Sequence, residues 1–417
     1  MIETKFKHTE IGLIPYDWEV KELRQLCKVN GRVGFRGYNK SDLVPRGMGA
    51  YTIGCKHISK NRLDLSDPEY ISWRKYYESP EIMVKMGDIL LAQRGTLGVS
   101  AIVSKDIGPA TINPSLVLLN KIQCNNLFLS YYLKTKESID EVSQNASLTS
   151  IPMISQKQIE LLRVILPPTT VEQKRIADAL SKIDSLITDL DALIDKKRAI
   201  KAGTMQQLLT GKKRLEGYTE PWVEKTIDDI SELKKGGGLS KEKLTPRGKH
   251  KCILYGEIFT AYNYIVKKCK SKTNYEEGLF SKVGDVLMPG STTTKGIDLA
   301  KAVCVMEDNI LLGGDIIVIR NCKNAFDPLF LSTYLSEINK QAIAEIAQGI
   351  TIIHIHAKQV AEVKLVIPPT IEEQNAIASI LSSMDTEIAA LEQKRDKYIA
   401  IKQGMMQNLL TGKIRLV

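Results

Sequence analysis

The sequence predicts an α+β protein in which two mixed α/β globular parts alternate with two long α-helices that pair as a coiled coil. Three observations predict it: a repeat at constant offset, a heptad stripe inside the helical part of each copy, and short apolar runs cut by turn residues elsewhere. The segment from Leu166 to Leu215 returns without a gap from Ile367 to Leu416, an offset of 201 positions, with about half of the paired residues identical. A repeat of this kind decides architecture before any local assignment, because one supersecondary unit is then present twice.

Fainter echoes extend the duplication over the whole chain. FLSYYL from Phe128 answers FLSTYL from Phe330, Gly87-Asp88-Ile89-Leu90 answers Gly284-Asp285-Val286-Leu287, and Trp18 answers Trp222. The expected organisation is a globular part at 1–165, a helical part at 166–215, a second globular part at 216–366 and a second helical part at 367–417. At 417 residues the chain is too long for one ordinary core, which agrees with at least two.

In the helical parts, Ile176, Leu180, Ile183, Ile187, Leu190 and Ile194 recur at alternating steps of four and three, as do Ile377, Leu381, Met384, Ile388 and Leu391. That spacing is a heptad seam. Pro167-Pro168 and Pro368-Pro369 cannot lie inside a helix, so Thr169 and Thr370 are the expected caps, and Gly211 and Gly412 the expected stops. A lone amphipathic helix of that length leaves its stripe in water, so the two repeats are expected to bury their stripes against each other. Lys197, Lys201, Arg395 and Lys402 interrupt the seam, which leaves two expectations open: later turns splayed apart, or completed by a helix of a partner.

The globular parts carry strand-like runs, DILLA from Asp88, SLVLL from Ser115, DVLM from Asp285 and DIIVI from Asp315, divided by Gly, Pro and Asn turns. Each closes with an apolar strand, VIL before Pro167 and LVI before Pro368, that hands the chain to its helix.

Composition narrows the class. Apolar residues make up 43% and charged residues 25%, values typical of a folded globular chain. No run approaches the roughly 18–20 apolar residues of a membrane helix, and the start MIETKFKHTEIG lacks a signal-peptide core; the expectation is a cytoplasmic protein that does not enter membranes. The seven cysteines are scattered and never spaced as CxxC, which predicts reduced thiols rather than a disulfide framework or a zinc site. A net charge of +10 and a pI near 9.0 favour a polyanionic partner.

A search for chemistry returns nothing. Asn113-Pro114-Ser115 lacks the second proline and the aromatic that cradle a flipped adenine, and Gly290-Ser-Thr-Thr-Thr-Lys295-Gly296 has no glycine before the lysine of a P-loop. Glu19-Val20-Lys21 and Glu362-Val363-Lys364 match a nuclease-like ExK string, but three residues in a chain rich in Lys and Glu read better as solvated strand faces. His354-x-His356 puts two imidazoles on one strand face without an acidic or Cys partner nearby, and Met153 and Ser155 stand at the matching positions, so a structural or DNA-facing role is expected. No catalytic site and no metal site is expected in this chain.

What remains suits recognition. Each globular part has a polar loop after its GD-I/V-L strand and a small-polar segment before its closing strand. In the first these are Gln93-Arg94-Gly95-Thr96 and Gln144-Asn145-Ala146-Ser147; in the second, Ser291-Thr292-Thr293-Thr294-Lys295 and Gln348-Gly349-Ile350-Thr351. Arg and Lys can read guanine edges, Gln and Asn adenine edges, and Ser, Thr and backbone amides hold phosphates.

The strings VILPPTTVEQKRIADAL and LVIPPTIEEQNAIASIL, the returns QQLLTGK and QNLLTGK, and the doubled head-and-helix layout resemble the specificity subunit (HsdS) of type I restriction-modification systems. The resemblance spans the chain and is specific in the helical parts. It implies two target-recognition domains joined by an antiparallel helix pair and reading a bipartite double-stranded DNA site. It also implies partners: two methyltransferase subunits carrying S-adenosylmethionine, and restriction subunits with ATP-driven, Mg-dependent translocation and cleavage. Under it, Glu172-Gln173 and Glu373-Gln374 join the seam residues as spacer or partner-docking positions.

The duplex backbone has local two-fold symmetry, so two similar heads need a two-fold relation to present one face to each half-site. Antiparallel helices supply that pseudo-two-fold axis, and unlike heads imply unlike half-sites. The rival readings are a coiled-coil scaffold with incidental charge, a modification-only adaptor, and a self-contained nuclease.

Overall fold

In the computed structural model, described over residues 5–147 and 151–416, the chain forms two compact units. One combines residues 1–191 with 393–417, the other is residues 192–392. The observed class is the α+β class expected.

The head of the first unit is built on an antiparallel sheet in the order Ser100–Ile102, Ile89–Ala92, Leu116–Asn120, Lys28–Gly31. Its central strands are apolar from Ile89 to Ala92 and from Leu116 to Leu119 because both faces are covered. Ile89, Leu91, Val117 and Leu119 enter one core, while Leu90, Ala92, Leu116 and Leu118 enter another, as the two-residue period of a strand requires. A three-stranded sheet, Ala110–Ile112, Gly49–Ile53, Tyr70–Ser72, closes the second core.

The second unit repeats the plan with additions at the edges. Its main sheet runs Glu232–Lys235, Ile316–Arg320, Asp285–Pro289, Val303–Val305, Ile265–Val266, and its smaller sheet Ser271–Thr273, His250–Ile253, Leu311–Leu312, Leu279–Phe280. Val286, Met288, Ile317 and Ile319 face one core; Leu287, Ile316 and Val318 face the other. The closing strands behave as expected: Arg163–Leu166 pairs with Glu19–Glu22 and Lys364–Ile367 with Val223–Thr226, both antiparallel.

The two long helices are Thr170–Leu208 and Ile371–Leu409, each of 39 residues. Their starts are capped as predicted: the Thr169 hydroxyl accepts the Glu172 N–H at 3.2 Å and the Thr370 hydroxyl accepts that of Glu373 at 3.4 Å. Gly211 and Gly412 follow the ends at φ +67° and +73°, the left-handed geometry that terminates helices. Each unit holds the opening half of one helix and the closing half of the other.

Within each unit the helices run antiparallel. In the first, Glu172 pairs with Arg415, Asp184 with Lys402 and Asp191 with Arg395, one number rising as the other falls. In the second, Lys197 pairs with Glu387, Lys201 with Asp385 and Arg214 with Glu373. Both expectations for the seam cations are therefore corrected. The late turns are neither splayed nor left for an outside helix, because the basic residues of each late turn meet acidic residues on an early turn of the other helix.

No helix among the described residues is long and apolar enough to cross a membrane, and the seven cysteines are free. The two ExK strings have local partners. Glu19 and Lys21 pair with each other at 3.0 Å on an edge strand, and Lys364 pairs with Glu224 at 2.8 Å. Glu362 caps the short helix Ala357–Ala361 rather than lying in a strand.

Candidate nucleic-acid interface

The two candidate loops of each head lie side by side. In the first head, the Gly95 N–H donates to the Pro152 carbonyl at 3.0 Å, the Ile154 N–H to that of Gln93 at 3.0 Å, and the Ser147 N–H to that of Met153 at 2.8 Å. Backbone bridges Arg94↔Met153 and Ser147↔Met153 complete the join. The same join recurs in the second head, where Ser291–Thr292 pairs antiparallel with Ile353–His354 and Gln348 bridges His354.

The loops differ in what they offer. Arg94, Gly95 and Thr96 are exposed, with Arg94 Nε held 3.0 Å from the Met153 sulfur. Gln93 is half-buried and donates to the Pro114 carbonyl at 2.9 Å. Gln144 ends the helix Lys136–Gln144, and Asn145 caps it, its amide donating back to the Glu141 carbonyl at 2.8 Å. In the second head Thr293, Thr294 and Lys295 are exposed, as are Gln348 and Thr351. Ser291 and Thr292 are buried, and Ser291 donates to Asp315 at 3.2 Å. The Thr292 and Thr294 hydroxyls sit 2.9 Å apart.

Ser291, Thr292, Thr293 and Thr294 border a cleft of about 930 Å³ that Ile352, His354 and Lys340 also line. His354 ends its strand exposed, while His356 begins the next helix. Among the described residues no group of three His, Cys, Asp or Glu is placed to hold a metal.

Of the helical positions, Ile176, Leu180, Leu190, Ile377, Leu381 and Ile388 are buried and Ile183, Ile187, Met384 and Leu391 half-buried. Glu172, Gln173, Glu373 and Gln374 are buried with partners inside the fold. Gln173 accepts the Asn125 N–H and donates to the Pro167 carbonyl, both at 2.9 Å; Gln374 accepts from Asp327 at 2.9 Å and donates to Pro368 at 3.1 Å. Glu172 takes two hydrogen bonds from Arg415, at 2.5 and 2.8 Å, and Glu373 two from Arg214, at 2.7 and 2.8 Å. These polar groups brace the junction of strand, helix and tail.

Two basic clefts escape the sequence reading. In the first unit a cleft of about 1010 Å³ between head and helices is lined by Lys60, Arg62, Lys105, Lys134, Arg395 and Lys402. Arg62 reaches it from the second strand of the hairpin joining Ile58–Ser59 to Arg62–Leu63 and donates to the Thr188 hydroxyl at 2.7 Å. Burial, reinforced by the nearby Lys402 charge, lowers the Lys134 ammonium to about 8. Asp184 on the same wall is pulled upward by burial, yet hydrogen bonds from Lys402 and Tyr131 hold it below the ordinary carboxylate value.

In the second unit a cleft of about 880 Å³ is lined by Arg198, Lys201, Lys267, Lys268 and Lys270. Apart from Lys201 on the helix seam, no periodicity marks these residues. Only the KKCK run at Lys267 and the high pI hinted at them.

Comparison with known proteins gives this geometry its context. The family model described as the type I restriction modification DNA specificity domain matches twice, over residues 15–201 and 219–400. The chain is 27% identical to a Methanocaldococcus jannaschii protein named as a type I restriction enzyme MjaX specificity subunit, covering 99% of this chain and 97% of that one. It is 25% identical, with the same coverage, to the type I restriction enzyme MjaVIII specificity subunit of that organism.

Among solved structures, the S subunit of the M. genitalium type I restriction-modification system aligns with a TM-score of 0.57 at 16% identity, covering 98% of this chain and 99% of that one. A chain from a study of type I R-M complex assembly aligns at 0.58 and 14% identity, covering 96% and 99%. At those identities the likeness is one of fold. The doubled family match, falling on the two head-and-helix repeats, establishes that this chain belongs to the type I restriction-modification specificity subunits, the non-catalytic DNA-recognition component of such systems.

Proposed function

We propose that this chain reads a bipartite, asymmetric double-stranded DNA site, with residues 1–165 and 216–366 as its two target-recognition heads and residues 166–215 and 367–417 as the spacer regions between them. The carrying observation is the loop pair that recurs in both heads on the same backbone frame but with different side chains. Equal frames give two readers of one kind, and unequal residues give two unlike half-sites. On this reading Gln93–Thr96 with Gln144–Ser147, and Ser291–Lys295 with Gln348–Thr351, face bases and adjoining phosphates, and the basic clefts attract the backbone.

The partners are two methyltransferase subunits that carry S-adenosylmethionine, together with restriction subunits that use ATP and Mg; the complex works in the cytoplasm. Glu172, Gln173, Glu373 and Gln374, with the seam residues Ile176 to Leu190 and Ile377 to Leu391, are the spacer and partner-docking positions on this reading, the four polar ones acting through the junction they brace.

Sequencing methylated adenines in cells with and without the gene tests the reading. Loss of one bipartite motif is expected, and an unchanged methylation pattern overturns it. Exchanging residues 1–160 for another head is expected to change one half-site only; a change in both refutes the two-head assignment. Adding one helical turn between Ile176 and Leu193 is expected to alter the preferred spacer or abolish binding. A scaffold without DNA affinity is separated by a mobility-shift titration, since binding through several phosphates weakens steeply as salt rises.

A further inference from the structure

We infer that Ile350 is an apolar wedge that enters a base-pair step of the half-site read by the second head. The inference rests on the DNA-reading function proposed above and adds a mode of contact to it.

The segment Gly349–Ile353 forms a short loop whose neck is closed from both sides. The Gln348 N–H donates to the His354 carbonyl at 2.9 Å and the His354 N–H to the Gln348 carbonyl at 2.7 Å. The neck is tied to the rest of the head as well, through Ser291↔His354 and Thr292↔Ile353 and the Ile355 N–H donated to the Gly290 carbonyl at 3.0 Å. Gly349 lies at φ +127°, and a Cβ there would come within 2.1 Å of the Ile352 carbonyl oxygen. The loop is therefore built around a glycine and anchored at a sheet. At its tip stands Ile350, 99% exposed, with Ile352 half-exposed behind it.

An isoleucine held in water forgoes the free energy of burial, and no described residue covers it. Its surroundings indicate what does. Gln348, Thr351 and His354 are exposed on the loop and its neck, and Lys295 is exposed on the segment that follows the paired strand Ser291–Thr292. A protein-docking surface needs a continuous apolar patch of several hundred Å², whereas here one branched side chain protrudes, with Ile352 behind it, on a loop whose other exposed side chains are polar. That combination suits a duplex: an apolar wedge slides between stacked bases while donors take base edges and phosphates. Unstacking one step also lowers the cost of extruding a neighbouring base for methylation.

The test uses the full chain with its methyltransferase partners and a duplex carrying the site selected from a randomised pool, with 2-aminopurine placed at successive positions. Wild-type complex is expected to brighten the probe several-fold at one step of the half-site assigned to the second head. Ile350→Ser is expected to remove that rise and Ile350→Leu to keep it, while fluorescence in the other half-site stays unchanged in both.

Specific binding with no brightening in that half-site, or a rise that survives in Ile350→Ser, overturns the wedge and leaves the DNA-reading function standing. So does an Ile350→Ser complex that loses only methyltransferase affinity. Failure of the wild type to prefer any duplex in the pool overturns the reading on which the wedge rests.

Discussion

The two units solve the same junction in the same way and the same loop frame in different ways. In the first, Arg415 is clamped by Glu172 and also by Asp17 at 2.8 and 2.9 Å, and it lies 5.4 Å from the Trp18 ring centre. In the second, Arg214 is clamped by Glu373 and lies 5.8 Å from the Trp222 ring centre, with the Trp222 indole donating to Glu373 at 3.3 Å. The reading loops, by contrast, share a backbone and almost no side chains. Constancy therefore resides where tail, helix and head are welded, and variation where a ligand is met. A duplicated chain that diversifies its recognition must leave the weld untouched.

The strongest way to break the comparison is to cut the weld. Arg415→Met leaves Glu172 buried without its cation, which is expected to destabilise the first unit by about 3–5 kcal/mol, and Arg214→Met the second unit by a similar amount. Denaturant unfolding followed through Trp18 and Trp222 fluorescence, using Trp73→Phe variants that retain one of the two, would show a loss confined to the matching unit. Equal losses in both units, or losses under about 1 kcal/mol, would contradict the assignment.

A second difference can be sharpened in the main sheets. Asp285 and Asp88 occupy matching turns, but Arg320 pairs with Asp285 at 2.7 Å whereas Asn120 stands at the matching place. Both members of the Asp285–Arg320 pair are buried, so Arg320→Met is expected to cost about 3 kcal/mol. Burial raises the Asp88 pKa, opposed by the Lys85 N–H hydrogen bond and the Lys85 charge, with no arginine paired to it as Arg320 is to Asp285. Asp88→Asn should be far milder, and thermal melts of the two variants would rank them.

The smallest effect concerns pH. Lys134 has a folded-state pKa of about 8, below its unfolded value, so between the two the unfolded chain binds more protons. Stability from this group is thus lowest when it is charged and rises with pH from about 8 towards the ordinary lysine range near 10. Wild type minus Lys134→Met, measured by denaturant unfolding across that window, should show the rise; an equal slope in both proteins would refute it.

Much of this was written in local signals. The Pro-Pro-Thr starts, the Gly stops, the heptad stripe and the apolar strand runs follow from short-range stereochemistry, and they appear where the sequence puts them. The seam cations were ambiguous because a helix read alone does not say which residue of its neighbour it meets; Asp184 and Asp385 supply the answer only after antiparallel pairing. The tail strings around Leu209 and Leu410 posed a harder problem. Each adjoins its own helix in sequence, yet Leu410 belongs to the core around Trp18 and Leu209 to the core that Trp222 packs against. With a tryptophan in both heads, composition cannot tell which one receives a given tail. The loop residues were legible as polar turns, but their junction across roughly fifty to sixty intervening residues was not, since β-pairing at that separation leaves no periodic trace.

The allocation of the last residues has a consequence for synthesis. The unit that starts at the amino terminus needs residues 393–417 to complete it, while the unit of residues 192–392 is uninterrupted in the chain. On the ribosome, the later-begun unit has all its parts first, and the earlier one must wait with Trp18 and Glu172 unpartnered until Arg415 emerges. Loss of residues 393–417 would thus leave the unit that contains Trp18 unfinished and the unit of residues 192–392 whole.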